Sequence, residues 1–129
     1  MTGTPFRPMT TPGRRYEILA GGFVSQRKPG SPTAASAGPR CAVHPDGTII
    51  CTFLAQVALG RNDFKPMISR SRDGGRTWSE AAMIWPEFAD RCSIFGSISA
   101  VPAGECFFYG MRTPIERPGE VAWSDGSRA

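Results

Sequence analysis

Glycine and proline interrupt this chain so often that a long helix has nowhere to form. Its 129 residues include Gly 15 and Pro 12, roughly a fifth of the chain against an ordinary sum of about 12%. They are spread along the sequence as punctuation, and no segment sustains an apolar period of 3.6 over ten residues. Short strands joined by tight turns are the expected outcome, so the fold class is all-β. The length suffices for one domain with a true hydrophobic core.

Residues 1–15 read as a flexible arm rich in Thr, Pro, Gly and Arg, followed by a candidate strand "YEILAGGFV" (16–24). "SQRKPGSPTAASAGP" (25–39) has nothing to bury and reads as loop. "RCAVH" (40–44), "TIICTFLAQ" (48–56) and "KPMISRS" (65–71) are apolar or alternating and bounded by turn residues, hence strands. "SEAAMIW" (79–85) is read as a fourth strand, although Glu-Ala-Ala-Met would suit a helix equally well. "CSIFGSISAV" (92–101), "ECFFYGMR" (105–112) and "GEVAW" (119–123) continue the pattern, joined by "PAG" and "TPIERP".

Two of the turns resemble each other. Pro45-Asp46-Gly47 and Pro102-Ala103-Gly104 lie 57 residues apart, each between a valine-containing strand and one bearing Cys and Phe. A period of this size suits blade-type repeats, in which each unit is a four-stranded sheet unable to bury both faces alone. A three-residue loop with Gly47 left-handed would pair residue 44 with 48 and Cys41 with Cys51. The four cysteines show no CxxC, and His44 has no ligand cluster around it, so no metal or other cofactor is expected. Reduced thiols are the expectation, with a Cys41–Cys51 disulfide left open.

The formal net charge of +4 is scattered rather than striped, which is compatible with an anionic ligand and gives no sign of nucleic-acid binding. No apolar run approaches the roughly 18 residues of a membrane span. The first residues lack the apolar core of a secretory signal, so the cytoplasm is the expected compartment, with secretion of a full-length form left open.

"SRDGGRTW" (71–78) is the most specific stretch. The Ser and Asp side chains can bond nearby backbone, the glycines can take positive φ, and Trp78 can staple the base of the turn. Ser71, Asp73, Gly75, Thr77 and Trp78 fit Ser-x-Asp-x-Gly-x-Thr-Trp at every defined position. The stretch resembles the Asp-box, or bacterial neuraminidase repeat, of sialidase-like six-bladed β-propellers. There it joins the third and fourth strands of a blade on the outer rim, so here it implies fold and not catalysis.

The resemblance implies a partial propeller of about one and three-quarter blades within 16–129: a first blade near 39–85 and an incomplete second near 92–129. It implies a fragment or truncated form of a glycoside hydrolase acting on terminal sialic acids, of exo-α-sialidase type and inactive in isolation. Such enzymes hold the substrate carboxylate with three arginines, whose guanidinium forks suit it. An aspartate serves as acid/base and a tyrosine with a glutamate partner as nucleophile. Arg40, in "AGPRCAV", is the candidate carboxylate ligand, although alignment on the Pro-Asp-Gly turn puts the family position on Ala37. Asp63, in the loop between the second and third strands, is the candidate acid/base; Arg61 and Arg112 are further anion candidates. Tyr16 and Tyr109 sit in no matching motif.

The expected partner is a sialoside-like anionic glycan, with no nucleic acid and no membrane. The alternative is a non-catalytic Asp-box propeller module that binds glycan or protein. A third reading is self-association of short chains into one ring, since open blades expose unpaired edges.

Overall fold

The computed structural model describes Gly13 and residues 21–116. Within them lie six strands: β1 (Ala35–Val43), β2 (Ile49–Gln56), β3 (Lys65–Ser71), β4 (Ala82–Met83), β5 (Cys92–Ala100) and β6 (Cys106–Pro114). The first four form one antiparallel sheet in the order β1-β2-β3-β4, and β5 and β6 form a second. A single 3₁₀ turn at Pro86–Phe88 links the two, with Pro86 supplying the fixed φ that opens it. The sequence reading does not anticipate that turn. The chain is mostly β, with no α-helix among the described residues.

Strand boundaries depart from the sequence reading in four places, one of them β6, which runs past residue 112 to Pro114. β1 begins at Ala35, inside the stretch read as loop. Its register slips between Ala37 and Arg40, where Gly38 takes a φ of 58°. That bulge, on an edge strand, accommodates Pro39, which has no N–H to give a ladder. Residues 21–24 carry no strand, and 16–20 lie outside the described residues. So do the rest of the arm apart from Gly13, and the strand expected at 119–123. "SEAAMIW" is extended rather than helical, although only Ala82–Met83 makes regular pairs. Bonds from Ser79 N–H to the Arg70 carbonyl (2.8 Å) and from Ile84 N–H to the Pro66 carbonyl (2.9 Å) carry the pairing beyond it.

The two similar turns share their geometry. His44 N–H donates to Thr48 O (2.9 Å) and Gly47 N–H to His44 O (2.9 Å). Val101 N–H donates to Glu105 O and Gly104 N–H to Val101 O, both at 3.0 Å and 57 positions later. Gly47 and Gly104 have φ of 86° and 88°, the left-handed conformation this loop needs. Registers also correspond: Cys41 faces Cys51 as Ile98 faces Phe108, and Arg40 faces Thr52 as Ser97 faces Tyr109. The correspondence ends at the bulge, which β5 lacks.

Phe53, Ala55 and Met67 form the core of the first sheet, with Val24, Ala81 and Met83 packed against them. The Arg27 guanidinium stacks 5.5 Å over the Phe53 ring, its stem covering apolar surface. Burying side chains such as Phe53 and Leu54 is worth about 1.5–3 kcal/mol each. The second sheet docks through Phe64, which accepts from Ile94 N–H (3.0 Å) and donates its own N–H to Ser93 Oγ (2.9 Å). Phe64 meets Phe95 edge-on at 5.4 Å, and Trp85 meets Phe108 likewise at 5.4 Å. Antiparallel order then sorts the connections. The turns at 44–48, 72–78 and 101–105 fall at one end, and the 57–64 loop and 84–91 connection at the other.

Candidate functional site

At the first end the Ser71–Trp78 turn closes on itself. Ser71 Oγ donates to Asp73 Oδ1 (2.8 Å) and accepts from Gly75 N–H (2.9 Å). Asp73 Oδ1 also accepts the Thr77 N–H (2.9 Å), and Oδ2 accepts the Thr77 hydroxyl. Trp78 Nε1 donates to the Gly75 carbonyl at 3.2 Å, folding the indole back over the turn. Gly74 and Gly75 have φ of 72° and 88°, as the turn requires. Both Asp73 carboxylate oxygens are engaged within the turn.

Those bonds favour the charged carboxylate. The Thr77 hydroxyl and amide, then Ser71, lower Asp73 from an ordinary 3.8 to about 2. Asp46 is lowered from 3.8 to about 2 as well, chiefly by the Thr48 N–H at 2.8 Å, with His44 Nδ1 2.9 Å from the same oxygen. A depressed folded-state value stabilises the native turn fully above 3.8 and loses that contribution as pH falls through about 2. Carboxyl carbon shifts followed by NMR should therefore show both residues titrating near pH 2. A midpoint near 4 for Asp73 would mean that the turn bonds do not hold in solution.

At the opposite end lies Asp63, where the sequence reading places it, but not as a solvated turn residue. It is 7% exposed, and Lys65, also 7% exposed, sits 3.1 Å from its Oδ2. Lys65 Nζ further donates to the Asp63 carbonyl (3.0 Å), and Val57 N–H donates to Oδ2 (3.1 Å). Oδ1 is buried without a hydrogen-bond partner among the described residues. The carboxylate is thus fixed through one oxygen and has its full acceptor capacity left on the other.

Arg61 is not a free anion ligand, because its Nη1 lies 2.9 Å from Glu116 Oε1. Glu116 also accepts the Asn62 N–H (2.8 Å), and Asn62 Nδ2 donates to Thr113 Oγ1 (3.3 Å). These bonds tie the 57–64 loop to the end of β6. Arg112 stacks over Phe88 at 5.7 Å and is exposed. Arg40 is exposed on the edge strand opposite Thr52. Thr52 is five residues along β2 from Val57, about 16 Å of strand, so Arg40 and Asp63 are not brought together. Ala37, opposite Leu54, lies nearer the Asp63 end. Tyr109 is exposed on β6, and Tyr16 lies outside the described residues.

Comparison with protein-family models, curated proteins and solved structures returns no match.

Among the described residues no three His, Cys, Asp or Glu side chains gather as a metal site, and no helix is long and apolar enough to cross a membrane. What the Asp63 end offers chemically is a buried carboxylate able to accept a proton or hydrogen bond at one oxygen. Sequence reasoning misses Lys65 and Glu116. Lys65 has a local signal only in its nearness, two residues on from Asp63 at the opening of β3. Glu116 has none, lying 54 positions from the amide it holds.

Proposed function

We propose that these residues form part of a sialidase-like β-propeller glycoside hydrolase acting on terminal sialic acids, with Asp63 as its acid/base. The observation that carries this reading is the structural repeat of 57 residues. Thr52 and Leu54 on the first sheet are 2% and 1% exposed, whereas their counterparts Tyr109 and Met111 are 62% and 54% exposed. Phe107 on the same face is 52% exposed. In a propeller each sheet is covered by its successor on the corresponding face, and an apolar face of this kind is what a third sheet would cover. The self-closed Ser71–Trp78 turn lies at the far end from Asp63, as an Asp-box lies away from a propeller's substrate. Further blades would have to supply the remaining arginines and the tyrosine–glutamate pair, so these two sheets alone are expected not to turn over sialosides.

A non-catalytic propeller that binds glycan or protein is the second reading. It is favoured by the burial of Asp63 against Lys65 and by the engagement of Arg61 with Glu116. Hydrolysis of a fluorogenic α-sialoside by the natural full-length protein separates the two. The enzyme reading expects turnover that Asp63→Asn removes, a loss of about 10²–10⁴-fold for a general acid–base residue. Turnover surviving in Asp63→Asn would take this residue out of the mechanism. Absence of turnover by the wild type, with sialoglycan binding retained, would favour the binding module.

A further inference from the structure

We propose that Cys41 and Cys51 are an oxidisable pair, joined by hydrogen peroxide into a cross-strand disulfide that staples edge strand β1 to β2. The two residues face each other directly in the ladder, and both are free thiols. Counting from the His44–Thr48 bond, hydrogen-bonded pairs fall at 42/50 and 40/52, so 41/51 is a non-hydrogen-bonded pair. Such pairs hold their α-carbons about 4.5 Å apart, inside the roughly 4.4–6.8 Å that a disulfide spans. The register thus puts the two thiols opposite each other without any change in strand pairing.

The two thiols divide the chemistry. Cys41 is exposed and meets the oxidant first, while Cys51 is 1% exposed and lines a cavity of about 170 Å³ with Val24, Ala37 and Phe53. Cys41 sulfur attacks the peroxide, forming an S–O bond and breaking O–O; hydroxide leaves and takes up a proton as water. Cys51 then loses its proton and attacks the Cys41 sulfenic acid, forming S–S and releasing a second water. Two thiols are oxidised by two electrons and one peroxide is reduced to two waters. Burial, and then the neighbouring Cys41 thiol, push Cys51 up to about 12. Closure therefore quickens as pH rises toward that value.

The test uses the whole chain, oxidised with hydrogen peroxide, alkylated and mapped by peptide mass spectrometry. The expected result is loss of two free thiols from four, a peptide joining Cys41 to Cys51, and a thermal midpoint raised by roughly 10 °C. Cys51→Ser should instead accumulate a Cys41 sulfenic acid trapped by dimedone. The same treatment in guanidinium should keep only the modest preference that short sequence separation gives this pair, because the register no longer exists. A folded wild type that keeps all four thiols, or that joins Cys41 to Cys92, Cys106 or a second chain, would overturn the proposal.

Discussion

Replacing Asp63 by alanine is expected to lower stability by about 3–5 kcal/mol, the cost of leaving a buried charge without its partner. Among the described residues Lys65 would keep only the Asp63 backbone carbonyl as acceptor, and the Val57 N–H would lose the Asp63 carboxylate. The two charges stand 3.1 Å apart with side chains 10% and 8% exposed, so water cannot replace the missing partner cheaply. Removing both charges is a different experiment. Asp63→Asn with Lys65→Met should restore most of the stability, because a buried pair exchanged for neutral groups is often no less stable. Urea unfolding of the wild type, Asp63→Asn, Lys65→Met and their double variant gives the coupling directly. A loss below about 1 kcal/mol for Asp63→Ala would place the pair in the range of solvated surface bridges.

The same cycle matters for any test of Asp63 in catalysis. A single substitution that unfolds the β2–β3 loop would abolish activity whatever the residue's chemical role. The Asn/Met double variant keeps an acceptor for Val57 and leaves no unpaired charge, so an activity lost there is lost for want of the charged pair and not of the fold.

Local chemistry makes some features legible from the residues alone. The Pro-Asp-Gly and Ser71–Trp78 turns can be read because each carries its own bonding partners within a few residues. Once Gly47 is left-handed, the pairing of Cys41 with Cys51 follows by counting. The opening of β1 cannot be read, because Ala-Ser-Ala-Gly-Pro has no strand propensity. Its place is set by β2, which offers Leu54 and Gln56 as pairing partners, and by Gly38, which absorbs the extra residue. The environment of Asp63 is hidden for a related reason. Its position in a connecting loop suggests solvent, whereas the second sheet covers that end through Phe64, and Glu116, just past β6, holds the neighbouring Asn62 N–H. Burial is a property of what packs on a residue, and here that partner comes from far along the chain.

Gly110→Ala should be the most disruptive change in the second sheet. Gly110 faces Gly96 across the β5–β6 ladder. A β-carbon there would lie 2.0 Å from the Phe95 carbonyl oxygen and 2.5 Å from the Gly96 α-carbon. Both are main-chain atoms, so no rotamer change relieves the clash and the strands must separate. Overpacking usually costs about 1–3 kcal/mol, and a backbone clash belongs at or above the top of that range. At Gly96 the nearest atoms belong instead to the Phe108 ring, at 2.5 Å, which covers the glycine and closes space that a side chain would fill. Moving that ring disturbs its edge contact with Trp85, and the Tyr109 carbonyl stands 2.8 Å away, so Gly96→Ala should also cost, though less. Gly22→Ala, with nothing within 4 Å, should be neutral and serves as the control. Amide exchange of β6, compared across the three variants, separates local opening from global loss. If β6 opens in Gly110→Ala, Asn62 and Arg61 lose their hold on Glu116 with it. The glycine pair would then set the geometry of the Asp63 end from across the second sheet, and an unchanged β6 would deny it that role.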